Sequence, residues 1–500
     1  MSVRTSPAAA ALAIALLGGG CAAPTAEPGE SLAELRARGQ PGAKRQATPG
    51  ARARAVEQAW QDVVAGQADR HTTREALKSI LWRAGEPQPA RLAAARALLA
   101  DHTPEGVRDT INLVNLRLPT ETDMEVIAAL GLGAAERGWP DVTPGLVRSW
   151  ARPVLEPPDA ERPERRALQR LHPERPVAEV VFDVFMRPGQ GRFAERTRQD
   201  AWELLARLDA DGTARAALLE GAQGDDPLVA DLRAAARELG VVPRTALELR
   251  WLSGLRAPGH GGWWSETAGV VAGLGPEARR GLRLRHLEPV RWAAAHRPAW
   301  VAASRAVLLR QALGRLADRP HVARSEGVAE APRRDERLEK WAAELSWGDL
   351  LSILVVDEAL ADPRVVEELF RQVETDRNDT STEHGGILEM AGDGSARVRA
   401  FTPRPAQRAG DDRFIAPEDM FQESGTALAH YHFHVQATSR REHAGPGQGD
   451  MDYAQRTGRT CLVFTAVGAR TLNADWYVSE GAIVDLGPLR LAGTASRAGR

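Results

Sequence analysis

Ala427-Leu428-Ala429-His430-Tyr431-His432-Phe433-His434-Val435 alternates in polarity at every second position. As a β-strand it sends Ala427, Ala429, Tyr431, Phe433 and Val435 to one face and His430, His432 and His434 to the other. Little before it reads this way. From about 56 to 370, apolar residues recur at three- and four-residue spacing, the period of amphipathic helices. Past Asp376 the period becomes alternating; Cys461-Leu462-Val463-Phe464-Thr465-Ala466-Val467 is a nearly continuous apolar run suited to a central strand, and two more strands are expected over Leu472 to Val478 and Ala482 to Leu486. The fold class expected is α+β multidomain, with an α-helical N-terminal region over 56–370 and a strand-bearing domain over 375–490.

Local signals support the helical assignment. Asp226-Pro227-Leu228 carries a capping carboxylate and a first-turn proline, Leu228, Leu232, Ala235 and Leu239 form a stripe, and Gly240 ends it. A second helix starts near Pro89 with Leu92, Ala95 and Leu99 on one side. These short Ala/Leu-rich helices resemble a degenerate array of HEAT-type hairpins. Most of the 13 tryptophans are expected as core anchors. Pro258-Gly259-His260-Gly261-Gly262-Trp263-Trp264 reads as a packed turn, with ligand binding the less favoured alternative. His71, His172 and His286 read as surface or capping residues, and Ser325 to Arg337 as a polar loop.

Composition excludes several function classes. In 500 residues, 65 Lys+Arg nearly cancel 67 Asp+Glu, so no nucleic-acid partner is indicated. A 43% hydrophobic fraction excludes global disorder, and two cysteines cannot build a disulfide framework.

At the N-terminus, Arg4 precedes an apolar stretch from Ala8 to Leu17 and then Gly18-Gly19-Gly20-Cys21. This layout of an export signal resembles a bacterial lipoprotein signal, which implies acylation of Cys21, a membrane anchor and a place in the cell envelope. An ordinary secretory signal, leaving a free exported protein, is the alternative. Residues 22–55, rich in Pro, Ala, Gly, Glu and Arg, read as a flexible tether, and 491–500 as a polar tail.

Five of the 12 histidines, His384, His430, His432, His434 and His443, fall within residues 384–443. Side chains two apart on a strand lie about 7 Å apart at the backbone, close enough for two imidazoles to meet on one ion with bonds of about 2.0–2.1 Å. A zinc-like centre needs a third ligand. Asp450, in Pro446-Gly447-Gln448-Gly449-Asp450, is the best candidate, and Asp452 competes with it. His430, His443 and Glu442 remain possible neighbours of the ion. Cys461 reads as an inert buried thiol, and Asp475 and Asp485 as turn or edge residues.

Tyr431-His432-Phe433-His434 followed by Pro446-Gly447-Gln448-Gly449-Asp450 resembles the JAMM (MPN-domain) metalloprotease signature, a His-x-His strand followed by a Pro-Ser-x-x-Asp turn. Upstream, Thr382-Glu383-His384-Gly385-Gly386-Ile387-Leu388 is similar to that family's Glu-x-x-Gly-x-Leu segment. The resemblance implies a C-terminal α/β domain with a mixed sheet, His432, His434 and Asp450 as Zn2+ ligands, and Glu383 as catalytic acid/base. Val435 stands where the family has proline, and Gly447 where it has the serine that stabilises an oxyanion; Thr438, Ser439 or the Gly447 N–H are candidates to replace that serine. The function expected is an exported zinc-dependent hydrolase of amide bonds acting on a peptide or protein, with the helices docking substrate or partner. The alternative is a catalytically inactive, lipid-anchored envelope scaffold that binds an envelope protein.

Overall fold

The alternating segments pair into one six-stranded sheet in the computed structural model, which describes residues 48–324 and 335–491. Cys21, the 1–21 signal, most of the 22–55 tether, residues 325–334 of the Ser325–Arg337 segment and nearly all of the 491–500 tail lie outside the described residues. No helix among the described residues is long and apolar enough to cross a membrane.

The strands are β1 (Gly385–Met390), β2 (Ala396–Phe401), β3 (Ala429–His434), β4 (Cys461–Gly468), β5 (Thr471–Tyr477) and β6 (Ile483–Arg490), in the order β2-β1-β3-β4-β5-β6. β3 and β4 run parallel and every other neighbouring pair is antiparallel, so the sheet is mixed. A parallel pair needs a crossover, and the Gln448–Thr457 helix lies in that connection. His432 stands opposite Gly385 on β1 and Val463 on β4.

Both faces are covered, which is why β4 is apolar along most of its length. On the histidine face, Met451 and Ala454 of the crossover helix pack with Cys461, Val463, Tyr477 and Ile483. On the other, Tyr431, Phe433 and Phe464 meet edge-on or tilted at 5.5–5.9 Å, and the Tyr431 hydroxyl donates to Gln372 of the Pro363–Arg377 helix at 2.5 Å. Gly386 has no alternative residue, because a Cβ there would sit 2.0 Å from the Arg399 carbonyl oxygen.

The chain divides into two compact units between Val180 and Val181. In the first, alternate helices pack on one another: Pro49–Val64 on Gln88–Leu99, that on Met124–Glu136, and that on Pro163–Leu171. They begin at intervals of 39, 36 and 39 residues, a regularity their divergent sequences conceal. The helices between them form a second layer. Buried Glu121 is held there by Arg91 and by Arg117, the latter at 2.6 Å.

In the second unit, the helices from Ala194 to Arg377 share one body with the sheet. The change of period near 375 is therefore a change of element inside one unit, because these helices bury side chains against the strand domain. Trp251 donates its indole N–H to the Gly425 carbonyl at 2.7 Å, and the Arg459 guanidinium stacks 3.4 Å from its ring. Asp226 caps the Leu228 and Val229 N–H groups as expected, and Gly240 ends the stretch in the left-handed region at φ +64°.

Three local expectations change, while that for Cys461 as a buried thiol holds. The glycine-rich segment turns over Pro258–His260 and becomes a helix, Gly261–Gly273, in which Trp263 and Trp264 donate to Glu288 and Glu238. His286 caps as expected, accepting the Arg283 N–H, but it is fully buried and meets Asp349 at 2.9 Å. Asp475 lies inside the interior strand β5 rather than at a turn or edge, while Asp485 lies on the edge strand β6 as expected; Asn473 bridges their carboxylates at 3.0 Å each, and Asp485 also accepts from the Val322 and Gly487 N–H groups. Cys461 is buried and free, and burial pushes its thiol up.

Candidate metal centre

Period-two geometry at the end of β3 puts His432 and His434 side by side. Their Nε2 atoms lie 3.3 Å apart. His434 Nδ1 lies 2.9 Å from the His443 carbonyl oxygen; a carbonyl only accepts, so Nδ1 carries the proton and Nε2 keeps its lone pair in the neutral ring. Burial, then the charge of His432, lowers the His434 imidazole to about 4.

Asp450 enters from the first turn of the crossover helix. Its Oδ2 accepts the Gly447 N–H at 2.7 Å, satisfying one of the free donors at the helix start. Its Oδ1 is 3.2 Å from His432 Nε2, and its Oδ2 is 3.7 Å from His434 Nε2. Burial alone would lower the His432 imidazole, but the Asp450 charge reverses this and raises it to about 9. Burial opposes ionisation of Asp450, yet His432 holds its carboxyl well below the usual range.

Glu383 approaches from the residue pair preceding β1, and one ligand atom each from Glu383, His432 and His434 lies within 4.8 Å of the others. It is 4% exposed. Burial pushes its carboxyl up to about 8; His432 opposes the rise and Asp450 adds to it. The Gln436 amide donates to Glu383 Oε1 at 2.9 Å and also to the Asp411 carbonyl, which fixes which end of the amide faces the carboxylate. Asp376, raised to about 7 by burial, receives the His384 N–H at 2.5 Å and leaves its other oxygen without a partner.

The remaining residues sort plainly. His430 shares the histidine face, but its Nδ1 lies 2.7 Å from the Tyr453 hydroxyl and its Nε2 is buried without a partner. His384 binds Asp379 at 3.1 Å. His443 contributes its carbonyl. Glu442 faces Arg440, and Asp452 accepts from Gln448 at 2.7 Å, so Asp450 alone of that acidic pair joins the imidazoles. Thr438 and Ser439 are exposed on the loop after β3. The Gly447 N–H is already committed to Asp450, which removes it as an oxyanion donor.

Gln436, Asp376 and the His443 carbonyl escaped the sequence reading. A carbonyl carries no residue signal, and Asp376 closes a helix where an acidic residue usually faces water.

The donor set fits a zinc-like ion. Two nitrogens bound at about 2.05 Å to one tetrahedral ion stand about 3.3 Å apart, the separation found for the two Nε2 atoms. Two imidazoles and a carboxylate are ligand types this metal accepts, and a His whose other nitrogen binds a backbone carbonyl is the usual outer support. Glu383 then stands beside the set as a carboxyl able to exchange a proton near neutral pH. Comparison with protein-family models, curated proteins and solved structures finds no match to this chain.

Proposed function

We propose that this chain is an exported, zinc-dependent hydrolase of amide bonds, JAMM-like in its C-terminal part, with His432, His434 and Asp450 holding the metal and Glu383 as general acid/base. The supporting observation is that these four side chains, brought by β3, the crossover helix and the segment before β1, turn toward one point. A bound Zn2+ would supply Lewis acidity, polarising a carbonyl and lowering the pKa of a coordinated water from 15.7 toward about 7. His434 presents the Nε2 lone pair, His432 would present its own once the ion displaced its proton, Asp450 would offset the ion's charge, and Glu383 would take a proton and return it to the leaving amine. Gln436, by occupying Oε1, leaves Oε2 as the oxygen that moves the proton. The substrate is a peptide or protein. Export, and anchoring through a lipid on Cys21, follow from the signal-like N-terminus, and the HEAT-like helices would dock substrate or partner.

One observation favours the second reading, an inactive lipid-anchored envelope scaffold: the Gly447 N–H is spent on Asp450, and no serine stands there to stabilise an oxyanion. Hydrolysis of a fluorophore-labelled peptide pool by the zinc-loaded chain separates the two. The hydrolase reading expects Glu383→Gln to lose about 10²–10⁴-fold in rate at unchanged zinc content. Equal rates in parent and variant would refute the acid/base role.

A further inference from the structure

Near the metal centre stands a guanidinium, Arg440, whose only ion pair among the described residues is a loose one to Glu442 at 4.0 Å. The Arg440 N–H donates to the Ala466 carbonyl at 2.6 Å, which pins Arg440 at β4 one residue past Thr465, the partner of His434 across the parallel pair. Three residues on, the His443 carbonyl takes the His434 Nδ1–H. On the opposite flank, the charge of Arg440 acts on the Asp411 carboxyl, and the Asp411 carbonyl anchors the amide that grips Glu383. Arg440 thus sits in the segment that supplies the His443 carbonyl to His434, and its charge reaches the residue that anchors Gln436.

Its side chain makes no hydrogen bond among the described residues. Nε is buried without a partner, and the nearest carboxylate, Glu442, stops at 4.0 Å, too long for a hydrogen bond. Arg324, which serves the same loop, differs: it donates to the Ala444, Gly445 and Pro446 carbonyls. At 26% side-chain exposure, Arg440 is open to a ligand while part of its donor fork is already out of water.

A planar fork of N–H donors is matched by a group with two parallel acceptor oxygens, and a carboxylate is that group in a peptide. We propose that Arg440 receives a carboxylate of the substrate, so that the site selects amide bonds with a carboxylate close by, either a peptide C-terminus or an acidic side chain. This rests on the amide-hydrolase reading and names its substrate class. Asp411 and Glu442 lie near the guanidinium and repel a second anion, so a substrate carboxylate must win its place through direct hydrogen bonds to the Arg440 fork, and the preference should vanish with that residue.

The test is binding by calorimetry to the full chain carrying Glu383→Gln, which slows turnover by about 10²–10⁴-fold, both zinc-loaded and chelated. The probes are acetylated tetra-alanine with a free C-terminus, its C-terminal amide, and an amidated version with one glutamate. The expected result is at least about tenfold tighter binding of a carboxylate probe than of the plain amide, lost in Arg440→Gln, partly kept in Arg440→Lys, with plain-amide affinity and zinc content unchanged. An Arg440-dependent gain for the free C-terminus identifies a terminal carboxylate, and one for the glutamate probe a side chain. Equal binding of all three probes, or a preference that survives Arg440→Gln, overturns the proposal. Preference without hydrolysis by the Glu383-containing chain would sink the hydrolase reading alone; hydrolysis without preference would sink this one.

Discussion

Glu383→Gln should make the metal-free protein more stable, and by an amount that depends on pH. Glu383 is 4% exposed and its carboxyl is pushed from 4.5 to about 8, first by burial. A raised acid holds its proton in the folded state while the unfolded chain has already released it, so folding loses free energy as pH climbs from about 4.5 and has lost all of it by about 8. The rise of about 3.5 units, at about 1.36 kcal/mol each, sets a ceiling near 5 kcal/mol. Glutamine does not titrate, and its carbonyl can still accept the Gln436 N–H now given to Oε1. Relative to the parent, Glu383→Gln should therefore be about neutral at pH 4.5 and more stable by a few kcal/mol at pH 8. Scanning calorimetry in chelator at both pH values measures this; the transition to follow is the one that shifts on substitution, because the chain has two units. A variant no more stable at pH 8 than at pH 4.5, relative to the parent, would refute the claim that the acid is held buried and under strain for use.

Two further outcomes follow from the same geometry. In the metal-free chain, Asp450→Asn removes the charge that lifts the His432 imidazole to about 9, so its NMR titration should fall by at least about one unit; an unmoved midpoint would contradict the contact. Gly458 closes the crossover helix at φ +65°, where a Cβ would lie 2.3 Å from Glu248 Oε1, so Gly458→Ala should cost about 1–3 kcal/mol by calorimetry.

The parts of this site readable from sequence are those set by short-range geometry. Alternation put His432 and His434 on one face because a strand leaves no other arrangement; Asp450 was preferred to Asp452 only because Pro446 aligns with the turn of the JAMM motif that the segment resembles. What could not be read depends on distant partners. Asp475 and Asp485 read as turn or edge residues because polar groups inside a strand are costly unless satisfied. Asp485 is satisfied by Asn473, Gly487 and, more than 160 positions away, Val322, whereas Asp475 takes the Asn473 amide on Oδ2 and keeps Oδ1 buried without a partner. The burial of His286 was missed for a like reason, since Asp349 lies 63 residues downstream. The glycines at 259, 261 and 262 suggested a loop, but the indoles of Trp263 and Trp264, tied to Glu288 and Glu238, keep that segment helical. Gln436 carries no pattern at all; its role exists only because Glu383 and the Asp411 carbonyl fold up beside it.

Elemental analysis of the purified full-length chain, expressed with ample zinc and dialysed, bears most directly on the proposed centre. The account predicts about one zinc per chain, lost when His432 and His434 are both replaced by alanine in a variant whose calorimetric transitions remain. A chain that retains no divalent metal, or a double variant that retains as much as the parent, would contradict it.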